Sequence, residues 1–582
     1  MDIKMQVKAL EMLQKIKGSD KNDREFVPQK PLLKPVKTNG VFRELSPGQA
    51  GVRSEGLLKM LNELSESENV LPHSILVLKD GALIAKADFK PFLADIPHVS
   101  HSLCKSIVSM AVGLAANEGR ISVDEKIAEI FAEYMPRNAV PQMKSVTVRH
   151  LLTMSSGAVF NEAKALVSGD WVRDFLASEI MFEPGTGFHY NSLNTYMLSA
   201  AVCMRTGMSL SEYLRSRLFD KMDIRGFYWE KCPHGIEKGG WGLYMGIYDY
   251  AKLGQLYLDG GVWNGKRLIP QSWINESLSR HIADEGYGYQ IWLTDDGFAF
   301  SGMFGQNVYV FPRRRMVIAI TAGSTSVFPR GRSLDIISGF IRNDENFSGA
   351  PIRDPHGTAL KAALEKATFG KALPVKGKPR LLDRLRSSLY GARNFNGIPE
   401  AARVLSGSRI DFEENSAGLL PVLIQFMNGN FEHGINRADF LAVGDRFTVS
   451  LHGDGGVTRI PVSFGDTPEY FDLNRRGEVY RVGTMGRFTT DEDDIPVLKL
   501  TLCFVETSCT KLLKFIFHES GVVLKVRESP RLYDALDEGL EVFLPTLGSA
   551  ARKTVAAVLE TEAADSKIRN ILEPTLKGKF VQ

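Results

Sequence analysis

HVSHSLCKSIVSM, residues 98–110, places Ser102 three positions before Lys105, at the head of an apolar run with helical spacing. Leu103, Ile107, Val108, Met110, Ala111, Leu114 and Ala115 recur so closely that the spacing predicts a helix buried nearly all round. At a helix start, side chains at i and i+3 share a face one turn apart. Ser102 Oγ then lies within reach of the Lys105 amine, and the helix N-terminus favours negative charge on that oxygen. A lysine held in apolar surroundings loses affinity for its proton, as a general base requires. The other reading of the same residues is a capping serine and a lysine snorkelling to the surface. Local spacing leaves both open.

The chain carries a second copy of the spacing. Ser508 and Lys511 stand in VETSCTKLLKFIF, whose alternation is that of a strand edge or turn. There a three-residue offset gives no shared face, so this copy reads as structural.

The whole chain limits the choices. Its 582 residues exceed what one core holds, so two or more domains are expected. With 44% hydrophobic and 24% charged residues the composition is that of a globular protein. A net charge of +3 gives no reason to expect a nucleic-acid or membrane-surface partner. Five cysteines are scattered without a C-x-x-C pair, which reads as reduced thiols in a cytoplasmic protein. MDIKMQVKALEMLQKIKGSDKNDREF at the N-terminus has no signal-peptide apolar core, and no segment approaches the roughly 20 apolar residues of a membrane span.

Four regions follow from the patterning. Residues 1–45 read as a short amphipathic helix and an extended, proline- and lysine-rich lead-in. Residues 46–345 hold strand patterns at both ends of a helical middle. SILVLKDGALIAKADF (74–89) turns at Asp80-Gly81 as a hairpin, and GFAFSGM, NVYVFP and MVIAITAG lie between 297 and 323. An antiparallel sheet made from the two ends, covered by helices, buries them all, giving an α+β fold. Residues 346–382 read as a linker. Residues 383–582 alternate in short runs that suggest a β-rich sandwich or barrel, closed by a helix-like tail, ARKTVAAVLETEAADSKIRNIL.

Two further segments bear on Ser102. PGTGFHYNSLNTYMLSAAV (184–202) sets Tyr190, Asn191 and Ser192 before an apolar helix, and FAFSGMFGQNVYVFP (298–312) sets Ser301-Gly302 in a glycine-spaced turn. With VTVRHLLTMSSG (146–157) and WGLYMGIYDYAKLGQLYLDGGVWNGKRLI (241–269), these segments come in an order that resembles the serine β-lactamase-like hydrolases. Within them the likeness is to the class C and penicillin-binding esterase type, and to the branch of 6-aminohexanoate-dimer hydrolase and related esterases. The resemblance covers about residues 46–345 and implies the β-lactamase/transpeptidase-like fold.

It also implies roles. Ser102 would attack a carbonyl and form an acyl-enzyme, Lys105 would take or relay its proton, and Tyr190 would share the acid–base work and protonate the leaving group. The oxyanion would lie between the backbone N–H groups of Ser102 and Met303. Ser192, Ser301 and Gly302 would line the substrate site, and Trp171 is the aromatic placed there in preference to Tyr244 and Trp292. The second motif is Tyr-x-Ser, the form of the hydrolase and esterase branch, where many relatives have Tyr-x-Asn. The third motif has Phe300 where the family usually carries Lys or His. A phenylalanine cannot hold the carboxylate of a β-lactam drug, so small esters or linear amides are the expected substrates. A D-amino-acid peptidase or amidase, a β-lactamase of low activity and a non-catalytic binding relative are the alternatives.

Other chemistries find less support. No serine stands in G-x-S-x-G, and there is no H-E-x-x-H. His98-x-x-His101 lacks a third metal ligand and reads as packing or a polar rim around Ser102, with His189 a neighbour of Tyr190. GGWGLYMG (239–246) reads as a turn entering a helix and not as a phosphate cradle. No cofactor and no metal are expected. The expected partner is a small ester or amide, with neither nucleic acid nor membrane, and a homodimer is compatible with the sequence.

Overall fold

A computed structural model of the protein describes residues 29–371 (except 68, 161, 166–167, 283–285 and 326–329), 373, 398–531 (except 433) and 573–581. The helix expected near the N-terminus and the helix-like tail at 551–572 lie outside the described residues.

The chain divides into two compact units. One comprises Leu33–Ala87 and Ala94–Pro355. Its centre is a seven-stranded sheet in which the two ends of the helical middle meet. Strand Pro72–Lys79 turns through Asp80 and Gly81, with φ of 50° and 73°, into strand Ala82–Asp88. Positive φ at both turn residues matches the right-handed twist of paired strands. Strand Met316–Ala322 runs antiparallel to Pro72–Lys79, with Ile318 opposite Val77, and strands Gln306–Phe311, Gly297–Gly302 and Trp292–Thr294 extend the sheet. The short strand Arg43–Glu44 adds one parallel pairing at the other edge. Helix Ile247–Leu258 packs on the central strands, and helix Cys104–Asn117 packs on helix Ser192–Thr206. This is the expected α+β sheet with helical cover.

The other unit comprises Met1–Leu32, Asp88–Leu93 and His356–Gln582. Its ten-stranded antiparallel sheet curls into a nearly closed barrel, so the expected β-rich fold is resolved as a barrel. Gly486 N–H donates to Ser463 O at 2.7 Å where one side of the sheet comes back on the other. Strand Thr575–Val581 inserts between Arg409–Phe412 and Gly521–Ser529. The interior carries charge as well as aromatic rings. Lys30 is fully buried, donating to Glu506 Oε2 at 2.5 Å and Val479 O at 2.7 Å, with its ammonium 4.4 Å from the Tyr480 ring centroid. The stretch 346–382 carries helix Gly357–Leu364, and its residues from His356 onward belong to this second unit. Among the described residues, no helix is long and apolar enough to cross a membrane.

Candidate active site

Ser102 stands in a single 3₁₀ turn, His101–Leu103, that runs directly into helix Cys104–Asn117. Every residue from Cys104 to Leu114 and Ala115 is buried, as the apolar spacing predicts. The preceding residue, His101, has φ of 45°, a left-handed conformation that a side chain adopts at a cost of about 1–3 kcal/mol. That kink turns the chain so that Ser102 begins the helix and faces Lys105.

Lys105 is the hub of the site. Its Nζ donates to Ser102 Oγ at 2.7 Å, to Ser192 Oγ at 2.8 Å and to the Gly240 carbonyl at 2.8 Å. The lysine is only 1% exposed, so it does not snorkel to the surface. The same Nζ lies 5.0 Å from the centroid of the Tyr190 ring. That ring stacks on Trp292 at 5.8 Å and meets Tyr287 edge-on at 6.3 Å. Asn191 caps helix Ser192–Thr206 by accepting from Leu193 N–H, and its Nδ2 donates to Ala158 O and Phe160 O, both at 2.9 Å. These bonds fix the residue between Tyr190 and Ser192. Glu162 Oε1 accepts the Ser192 N–H at 3.1 Å.

The third segment arrives from the sheet. Gly302 ends strand Gly297–Gly302, and a Cβ there would lie 2.2 Å from Ser100 O and 3.1 Å from the Ser102 amide nitrogen. Only glycine lets this strand end lie against the Ser102 turn. Met303 follows at once, opening the turn Met303–Gly305. Ser301 Oγ donates to Asn307 Oδ1 at 2.7 Å. Phe300 is buried, edge-on to Tyr257 of the covering helix, and contributes packing.

Ser102, Lys105, Tyr190, Ser192, Gly302 and Met303 are therefore brought to one place. Trp171 faces other rings. It is buried in a stacked pair with Trp241 at 5.4 Å, edge-on to Tyr196. Trp292, the aromatic set aside in favour of Trp171, is the one that stacks on Tyr190. The Gly240 carbonyl is invisible to sequence reasoning because a backbone acceptor has no side-chain signature. The glycine pair Gly239-Gly240 was the available clue, since a Cβ on Gly240 would lie 2.5 Å from Ser192 O.

The neighbouring titratable groups are held inert. Burial pushes the Cys104 thiol up to about 12, and it donates to Gly239 O at 3.0 Å. Burial, with His98 and Lys105 nearby, lowers His101 to about 3. His73 Nδ1 and His98 Nε2 are 3.0 Å apart, and His98 Nδ1 lies 3.0 Å from Val99 O. Burial, with His98 beside it, holds the His73 ring well below the usual histidine range, so it packs there as a neutral group. Among the described residues, no group of three or more His, Cys, Asp or Glu could hold a metal ion.

Residues 59–335 match the Beta-lactamase family model. Together with the sheet-and-helix architecture, this match supports a serine β-lactamase-like hydrolase over residues 59–335. It is 27% identical over 315 residues to the 6-aminohexanoate-dimer hydrolase of Paenarthrobacter ureafaciens, covering 47% of this chain and 78% of that one. Among solved structures, it is similar to a penicillin-binding protein homologue from Caulobacter crescentus (15% identity, TM-score 0.42, 49% of this chain and 96% of that one). A family VIII carboxylesterase shows a comparable likeness (18% identity, TM-score 0.41, 50% and 98%).

Proposed function

We propose that the protein hydrolyses small carboxylic esters or linear amides through an acyl-enzyme on Ser102, with Lys105 and Tyr190 as the acid–base pair. One observation carries the reading: a buried lysine amine 2.7 Å from a serine hydroxyl at a helix start, beside the ring of a tyrosine. Ser102 Oγ attacks the substrate carbonyl as its proton passes to the Lys105 amine. The C–O or C–N bond to the leaving group then breaks, Tyr190 gives the leaving group its proton, and the Lys105 ammonium returns a proton to Tyr190, so both groups are restored. Water attacks the acyl-enzyme, the Ser102–acyl bond breaks, and the carboxylic acid leaves with Ser102 restored. The oxyanion is stabilised by the N–H groups of Ser102 and Met303, whose segments meet at Gly302.

Phe300 supplies no positive charge where a β-lactam carboxylate would need one, which favours uncharged esters and linear amides. The curated relative named for hydrolysing the 6-aminohexanoate dimer supports amides within that class. The cytoplasmic setting is part of the same proposal, supported by five free cysteines.

The test is a panel of a short-chain p-nitrophenyl ester, a linear amide and a chromogenic cephalosporin. The expected kcat/KM for the cephalosporin is about 100-fold below that for the ester, the equivalent of one missing charge-assisted contact of about 3 kcal/mol. Cephalosporin turnover on a par with the ester would overturn the substrate assignment.

A further inference from the structure

Lys105 has an acceptor that comes from outside the three motif segments, and the way it is held suggests a purpose. The Gly240 carbonyl sits in the stretch Lys238–Gly242, which is pinned at both ends by one residue. Glu230 N–H donates to Gly242 O at 2.9 Å, and Lys238 N–H donates to Glu230 O at 2.9 Å. The same two residues close a third link through their side chains, Lys238 Nζ donating to Glu230 Oε2 at 2.7 Å. Both side chains are nearly inaccessible, at 4% and 5% exposure. Tyr244 Oη donates to the other carboxylate oxygen at 3.3 Å, and Trp229 Nε1 donates to Trp241 O at 3.1 Å. On its far side the stretch meets the nucleophile's helix twice, through Cys104 Sγ to Gly239 O and Lys105 Nζ to Gly240 O.

We infer that the buried Lys238–Glu230 pair is a positioning device for Lys105, acting through the Gly240 carbonyl. The inference rests on the acyl-enzyme reading above. A neutral amine has two N–H bonds and one lone pair. With Gly240 O and Ser192 Oγ each taking an N–H, the lone pair is left facing Ser102 Oγ, the direction from which the proton must come. Once the amine is protonated, the same three partners accept its three N–H bonds. A loop free to shift would release one acceptor and let the lone pair turn away. Rotation of this kind slows the chemical step and leaves substrate binding as it was. Replacing a buried ion pair by apolar residues of similar volume is often neutral, so net stability is not what distinguishes this pair; its bonds to the stretch that carries Gly240 are. Fixing a geometry to within a fraction of an ångström is a use that fits it.

The test compares Lys238→Met, Glu230→Gln/Lys238→Met and Trp229→Phe with wild type. The readouts are the rate of fluorophosphonate labelling at Ser102, kcat and KM for a p-nitrophenyl ester, and melting temperature. Lys238→Met leaves Glu230 buried without its cation and loses stability, whereas the double variant removes both charges and regains it. The expected result is a roughly 10- to 100-fold slower labelling rate and kcat in both, with KM within about twofold of wild type. Trp229→Phe, which removes one bond to the stretch, is expected to slow labelling by a few-fold. Lys238→Arg should restore part of the rate. A folded double variant labelled at the wild-type rate, or one whose loss lies in KM alone, overturns the inference. Wild-type protein that takes no label at Ser102 removes the acyl-enzyme reading and this inference with it, so the two failures are told apart by the wild-type lane.

Discussion

The two lysines that follow a serine at the same spacing, Lys105 and Lys511, are equally buried, at 1% exposure each, yet they do different things. Lys105 reaches back along a helix start to Ser102 Oγ, and its remaining partners are neutral: a hydroxyl and a carbonyl. Lys511 lies in strand Thr510–His518, where the third residue back is not on its face. It forms an ion pair with Glu528 at 2.8 Å and donates to Gly418 O at 2.6 Å and Leu420 O at 3.1 Å. One lysine is held by hydroxyls and a carbonyl, with the Ser102 hydroxyl within proton-transfer distance. The other is neutralised and ties a loop to a barrel strand. A motif therefore acquires chemistry from the secondary structure beneath it and from the charge of its partners.

That contrast can be broken by substituting both lysines. Lys105→Met should lower kcat for a p-nitrophenyl ester by about 10²–10⁴-fold, the usual cost of losing a general base, with little change in melting temperature. Lys511→Met should leave kcat within about twofold and destabilise the barrel unit by about 3–5 kcal/mol, because Glu528 is left buried without its cation. Urea unfolding alongside steady-state kinetics separates the two. A catalytic loss in Lys511→Met measured well below its unfolding midpoint would erase the distinction.

A smaller effect sharpens the same comparison, since the residue just before Ser102 is a buried histidine. His101 is lowered from about 6.5 unfolded to about 3 folded, so the fold holds it neutral. For a group depressed in this way, stability is complete above the unfolded value. It is lost as pH falls from about 6.5 towards 3, where the unfolded chain binds the proton and the folded chain does not. Between pH 7 and 5 this amounts to about 2 kcal/mol for His101. The melting temperature of wild type should fall over that interval, and His101→Gln should flatten the fall. An equal slope in the variant would place the pH dependence elsewhere.

How much of this was legible differs between the regions for physical reasons. The helix carrying Ser102 declared itself because its apolar residues repeat at helical spacing, and Asp80-Gly81 declared the hairpin because its turn needs positive φ at both residues. Tyr190 and Gly302 were found by motif order. Gly240 was not, because its contribution is a carbonyl. Trp171 and Trp292 could not be told apart by type, since what separates them is whether the ring faces Trp241 or Tyr190. In the barrel unit, alternation revealed strands but not their neighbours. Nothing local in Thr575–Val581 says that it pairs with Arg409–Phe412, more than 160 positions earlier. Lys30 likewise carries no mark of its bond to Glu506, which exists only once the barrel has formed.

The most direct test of the central claim is fluorophosphonate labelling mapped by peptide mass spectrometry on wild type, Ser102→Ala and Ser508→Ala, with ester turnover measured on each. One label on Ser102 is expected, with label and turnover lost in Ser102→Ala and both retained in Ser508→Ala. A label on any other residue, with Ser102→Ala still active, would contradict it.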